Sequence, residues 1–171
     1  VSGNMDDMEG RPSEEIWNYQ QLDLGFNYRM TDLQAALGSS QIKRIDEFVA
    51  KRNIIARRYN QLLEDLPLML PREHPEIYSS FHLYIIRVKH GEASKTQRQI
   101  YDGLNEGNIR ANLHYIPVYL HPYYEKLGFT RGHCPNAELY YSEAISIPMF
   151  PGLKVLEQDR VVEILTTAID M

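Results

Sequence analysis

Between Thr31 and Pro67 the chain places apolar residues at close to the helical period, at Leu33, Leu37, Ile42, Ile45, Val49, Ile55, Tyr59, Leu62 and Leu66. Thr31-Asp32-Leu33-Gln34 opens the run as a capping box, the threonine hydroxyl accepting from the N–H three residues on and the glutamine reaching back. The pattern predicts one helix ending at about Asp65, ahead of Pro67. At 1.5 Å per residue it would be roughly 50 Å long. A compact domain of this size has a radius of gyration of about 15 Å, so the helix overhangs it and needs a second body to pack on. Gly38 inside the run predicts either close backbone packing or a kink.

Residues 1 to about 24 mix Gly, Pro, Asp, Glu and Ser without a sustained period and read as a loop. Beyond the helix, 81–88 reads as a strand apolar on both faces. Ser94-Lys95-Thr96-Gln97 predicts a second capping box, for a helix ending at Gly107. Residues 108–114 read as a strand and 144–148 as another. Two prolines keep 116–122 irregular. A helical turn is expected near 123–127, stopped by Gly128, and helices over 135–143 and after Gln158-Asp159. The fold class expected is α+β, with a three-stranded sheet and flanking helices.

An apolar share of 43% suits a chain with a real core, and a net charge of −5 argues against a nucleic-acid binder, which needs clustered Lys and Arg. One cysteine, Cys134, and no Asn-x-Ser/Thr site leave a cytoplasmic setting as the expectation. No apolar stretch nears the roughly 18 residues that span a bilayer. Dinucleotide, P-loop, zincin, paired-cysteine and serine-hydrolase motifs are all missing. His114 and His121 match no zinc spacing, and no metal is expected. Cys134 beside His133 is not expected to form a nucleophilic dyad.

Two places carry chemistry. Asn27 offers an amide, Arg29 a guanidinium fork, and the helix N-terminus at 31–33 partial positive charge: together an anion site suited to phosphate, or else a helix cap with a solvated arginine. Tyr115, Tyr119, Tyr123 and Tyr124 form either half-buried core or a platform for a sugar or base.

The run Gly25-Phe26-Asn27-Tyr28-Arg29-Met30-Thr31-Asp32-Leu33-Gln34-Ala35-Ala36-Leu37-Gly38 resembles the signature of the DegT/DnrJ sugar aminotransferases almost letter for letter. The likeness continues in Gln41 to Asp46, His114-Tyr115-Ile116-Pro117, His121-Pro122-Tyr123-Tyr124 and Ser146 to Gly152. It implies the small C-terminal domain of an aspartate-aminotransferase-like fold. Residues 1–24 would be a loop left from the large pyridoxal-phosphate (PLP) domain, 25–66 an interface segment with the bridging helix, and 67–171 the small domain. It implies a homodimer that aminates the C4 ketone of a UDP-linked 4-keto-6-deoxy sugar, with glutamate as donor. Asn27 would contact the phosphate of PLP held by the partner subunit. Arg29, His114, Tyr115 and Tyr119 would face the nucleotide sugar, Tyr119 departing from a histidine common in the family. The family's Schiff-base lysine belongs to the N-terminal half, and none of the lysines here lies in its setting. The chain is therefore expected to hold no catalytic residue, to need its missing N-terminal half and to be inactive alone. The competing expectation is a stand-alone sugar-nucleotide binding or regulatory module.

Overall fold

A computed structural model describes residue 26, residues 28–89, residue 91 and residues 93–170. It forms two compact units that divide between Lys43 and Arg44. In the first, helix α1 (Asp32–Ile42) starts at the expected box: the Thr31 hydroxyl accepts from the Gln34 N–H at 3.3 Å, and Gln34 Oε1 accepts from the Thr31 N–H at 2.9 Å. No residue of α1 is buried. A Cβ at Gly38 would meet nothing within 4 Å, so the close packing expected there is not supplied by the described residues.

The single long helix is not observed. Lys43 and Arg44 form a turn, Arg44 leaving helical geometry at φ −114° and ψ 7°, and α2 (Ile45–Leu62) begins afresh. Two local causes act. Gly38-Ser39-Ser40 are weak helix formers, and the apolar stripe steps five residues from Leu37 to Ile42, off the spacing that keeps one face.

The second unit carries a three-stranded antiparallel sheet in the order β1 (Leu68–Met69), β2 (Tyr84–Val88), β3 (Ala144–Ile147). The third strand is thus 68–69 and not 108–114. The latter segment makes one isolated bridge, Asn112 to Ser146, and the Asn112 side chain accepts from the Leu113 N–H at 2.8 Å, a local bond that competes with a ladder. On β2 burial alternates, with Tyr84, Ile86 and Val88 inside and Ile85 and Arg87 half-buried, so the expected two-faced burial is corrected to one face.

Register sets the two faces. Tyr84 pairs with Ile147 and Ile86 with Ile145, and these join Ile55 and Tyr59 of α2, Ile100 and Leu104 of α3 (Gln97–Glu106), and Val161, Leu165 and Ile169 of α6 (Val155–Asp170) in one core. On the other face Arg87, opposite Ala144, donates from Nε at 2.8 Å to the buried Glu143, the last residue of α5 (Pro135–Glu143).

Thr96 and Gln99 cap α3, two residues beyond the box expected, because the Ser94 hydroxyl is committed to the Ile169 carbonyl at 2.8 Å. α3 ends at Gly107 as expected, but for a steric reason: Gly107 has an ordinary φ of −74° and Asn108 takes the left-handed position at φ 59°. A Cβ at Gly107 would lie 2.4 Å from Ile164 Cγ2, and one at Gly103 would lie 2.9 Å from the Ala168 Cβ. The two glycines, one helical turn apart, let α3 lie directly on α6.

From α2, Arg52 Nη1 donates to the carbonyls of Phe81 at 3.0 Å and His82 at 2.8 Å. Phe81 sits at φ 42°, a left-handed conformation that costs a non-glycine residue on the order of 1 kcal/mol, and the clamp offsets it. Gly107→Ala should lower stability by about 1–3 kcal/mol, because Ile164 is β-branched and yields little. Urea unfolding checks this, and adding Ile164→Ala should recover part of the Gly107→Ala loss.

Candidate functional site

Residues 112 and 114 lie against β3 at Ser146, and the segment to 121 continues from there. The Asn112 bridge, with N–H to carbonyl distances of 3.0 Å and 2.7 Å to Ser146, sets their course. Two residues on, His114 Nδ1 lies 2.7 Å from the Ser146 hydroxyl. The Tyr115 ring meets the His114 ring edge-on at 4.4 Å and is 70% exposed. Pro117 and Leu120 are buried and anchor a 3-10 turn (Val118–Leu120), after which Pro122 opens the short helix α4 (Pro122–Glu125) at its first turn. The irregular course expected for 116–122 is observed, and Gly128, at φ 95°, follows α4.

Tyr119 is held by its own chain. Its hydroxyl donates to Glu138 Oε1 at 2.5 Å, and the Cys134 N–H donates to it at 3.3 Å. Gly132 N–H donates to the same carboxylate oxygen at 2.6 Å. The Tyr119 bond and then the Gly132 bond hold Glu138 below the usual carboxylate range, while desolvation and the Glu138 bond raise the Tyr119 phenol. The structure therefore gives the Tyr119 hydroxyl a protein partner and leaves its ring to shape the surface. Its edge meets His133, which meets Phe129 in turn.

In the first unit, Arg29 is exposed, and the rings of Phe26 and Tyr28 stack at 5.6 Å. Asn27 lies outside the described residues. The capping box uses the N–H groups of Thr31 and Gln34, and Asp32 puts a carboxylate in the same first turn. Of the anion site expected there, the described residues supply the exposed Arg29 and the N–H groups of Asp32 and Leu33, which the capping box does not use. Among the described residues no lysine is buried: Lys43, Lys51, Lys126 and Lys154 are exposed, Lys89 and Lys95 half-exposed. Among the described residues there is no cluster of three metal-ligating side chains and no helix long and apolar enough to cross a membrane.

Ser146 and Glu138 emerge only from the structure. A serine within the apolar run Ala144-Ile145-Ser146-Ile147 was the available signal for the first, and Glu138 carried none.

An α+β body with a small antiparallel sheet, bearing these outward aromatic and imidazole groups, has the fold of fold type I PLP aminotransferases. It resembles PseC of Helicobacter pylori, an aminotransferase involved in the biosynthesis of pseudoaminic acid, with a TM-score of 0.79 and 26% identity over 93% of this chain and 43% of that one. It also resembles the PLP form of the putative sugar aminotransferase Spr1654 of Streptococcus pneumoniae, with a TM-score of 0.81 and 29% identity over 90% of this chain and 39% of that one.

Residues 6–166 match the DegT/DnrJ/EryC1/StrS aminotransferase family, and the chain belongs to it. It is 37% identical over 154 residues to the spore coat polysaccharide biosynthesis protein SpsC of Bacillus subtilis, covering 88% of this chain and 40% of that protein. The erythromycin biosynthesis protein EryC1 of Saccharopolyspora erythraea is 33% identical over 82% of this chain and 37% of its own. The chain thus spans about two fifths of the length of these relatives.

The Tyr119–Glu138 bond has a pH signature. A carboxylate with a depressed folded pKa stabilises fully above its unfolded value, here 4.5, and the contribution is lost as pH falls through the folded value. In Tyr119→Phe the Glu138 midpoint, followed by carboxyl NMR, should move up toward 4.5. An unchanged midpoint would show that Tyr119 is not the source.

Proposed function

We propose that the chain is the C-terminal part of a PLP-dependent aminotransferase that transfers an amino group, from glutamate, to the C4 ketone of a UDP-linked deoxy sugar during surface polysaccharide or glycan synthesis. The reading is supported by family membership and by the resemblance to PseC and SpsC, whose names concern pseudoaminic acid and spore coat polysaccharide. The observation that carries it is that the groups expected to meet ligand face outward: Arg29 and Tyr115 are exposed, and His114 is half-buried with its ring held from behind.

In this reading PLP, when bound, supplies the electron sink that lets the amino group move. Asn27 donates its amide to the cofactor phosphate of the partner subunit. Arg29 presents two parallel N–H donors to the nucleotide diphosphate. His114 and Tyr115 border the sugar, and the Tyr119 ring closes the pocket beside them. The lysine comes from an N-terminal half, so this chain contributes a wall and is inactive alone. The outward Leu33, Leu37 and Ile42 of α1, with Phe26, Tyr28 and Met30 before it, fit a homodimer in which those apolar groups are covered. The cytoplasm is the setting that fits such a substrate.

Two measurements test this. With PLP and borohydride the 171-residue chain should trap no lysine adduct, and one specifically labelled lysine would overturn the reading. In the protein joined to a family-type N-terminal half, Arg29→Ala should weaken UDP-sugar binding by about 10- to 100-fold, the worth of charge-assisted hydrogen bonds. Submillimolar binding of UDP-sugar by the 171-residue chain alone, measured by calorimetry, would favour an autonomous binding module instead.

A further inference from the structure

β3 is buried along its whole length, and Ser146 is its one polar side chain, 5% exposed. Opposite Ile85 on β2, it belongs to the sheet face that looks away from the helical core. Its backbone N–H and carbonyl both bond to Asn112, and across the strand its Cα is paired with that of Ile85. The hydroxyl has one hydrogen-bond partner among the described residues, His114 Nδ1 at 2.7 Å.

A serine hydroxyl has one proton, and a buried donor left without an acceptor costs about 1–3 kcal/mol. No other acceptor is in reach of Ser146 among the described residues, so its proton goes to Nδ1. An imidazole that accepts at Nδ1 carries its own proton at Nε2. Nε2 makes no hydrogen bond to a described residue, and the ring is half-exposed and braced edge-on by Tyr115.

We infer that Ser146 is a positioning residue that fixes His114 as the neutral imidazole with Nε2–H outward, a hydrogen-bond donor to a ligand oxygen and not a general base. The ligand half of this inference rests on the proposed sugar-nucleotide reading; the Ser146 half does not. A donor at that place selects an oxygen with a free lone pair, on a sugar hydroxyl or ketone or on a phosphate. It discriminates against a ligand that offers only an N–H or ammonium group there.

The test is side-chain 15N NMR of His114 in the full chain, at about pH 8.5, above the ordinary histidine range. The expected spectrum has a protonated Nε2 and a bare, hydrogen-bonded Nδ1, and a mainly Nδ1-protonated ring would overturn the inference. In Ser146→Ala the Nδ1-protonated share should rise about fivefold, the equilibrium worth of one hydrogen bond, and Ser146→Thr should restore it. An unchanged share in a Ser146→Ala protein with native amide dispersion also overturns it. Because the wild-type spectrum is decisive by itself, a variant that does not fold leaves the test intact.

Titration of the protein joined to a family-type N-terminal half, with UDP and then with UDP-N-acetylglucosamine, separates the two halves. An Nε2 shift with UDP alone places the acceptor on the diphosphate, and a shift only with the sugar nucleotide places it on the sugar. No His114 shift in that joined protein while calorimetry shows the ligand bound overturns the ligand-facing role and leaves the Ser146 assignment standing, whereas no binding of either ligand there overturns the sugar-nucleotide reading.

Discussion

The pairing of β3 with β2 is the constraint on which the second unit depends. Side chains alternate across a strand, so a slip of one residue would exchange every group between the two faces. In the observed register Ile145 and Ile147 enter the core against Ile86 and Tyr84, while Ala144 and Ser146 face the other way. That choice sets a hydroxyl behind His114 and leaves Arg87 to meet Glu143 and the Tyr140 ring.

The helices hold this sheet rigidly. α3 reaches α6 through two glycines, and the buried Gln158 of α6 donates to the Ile55 carbonyl of α2 at 2.9 Å. The Tyr59 and Tyr84 hydroxyls are bonded to the Pro148 carbonyl and to Asn60, and burial raises both phenols above the ordinary tyrosine range. Gln97 of α3 donates to the carbonyls of Tyr141 and Ala144, tying α3 to the α5–β3 junction. The 112–121 segment therefore lies on a stiff support, the condition a ligand-facing group needs if its geometry is to be kept.

Helix α1 is held on the opposite principle. α1 has a complete capping box yet buries nothing, so local hydrogen bonding supports it without a core of its own. Most helical stability in proteins comes from packing an apolar face, and α1 keeps Leu33 at 85% and Leu37 at 62% exposure. A helix capped so carefully and left so bare is consistent with a chain that covers about two fifths of its relatives' length.

Local chemistry was legible in the sequence wherever one short stretch decided it. The Thr31 cap, the irregular prolines at 117 and 122, the start of α5 at Pro135 and the apolar stripe of α6 need only neighbours in the chain, and the signature at 25–38 was enough for the family. Where the sequence misled, competing signals met. The second cap moves from Ser94 to Thr96 because Ser94 bonds to Ile169, far along the chain. The helix break at Lys43–Arg44 follows a slip in periodicity after weak helix formers, and 108–114 gives way to 68–69 as the third strand where the Asn112 side chain bonds to the next residue. The Ser146–His114 contact spans 32 residues, and the Tyr119–Glu138 contact 19. Only tertiary structure decides such pairs, because the atoms that complete them are brought close by strand register and helix packing, which no short run of sequence encodes.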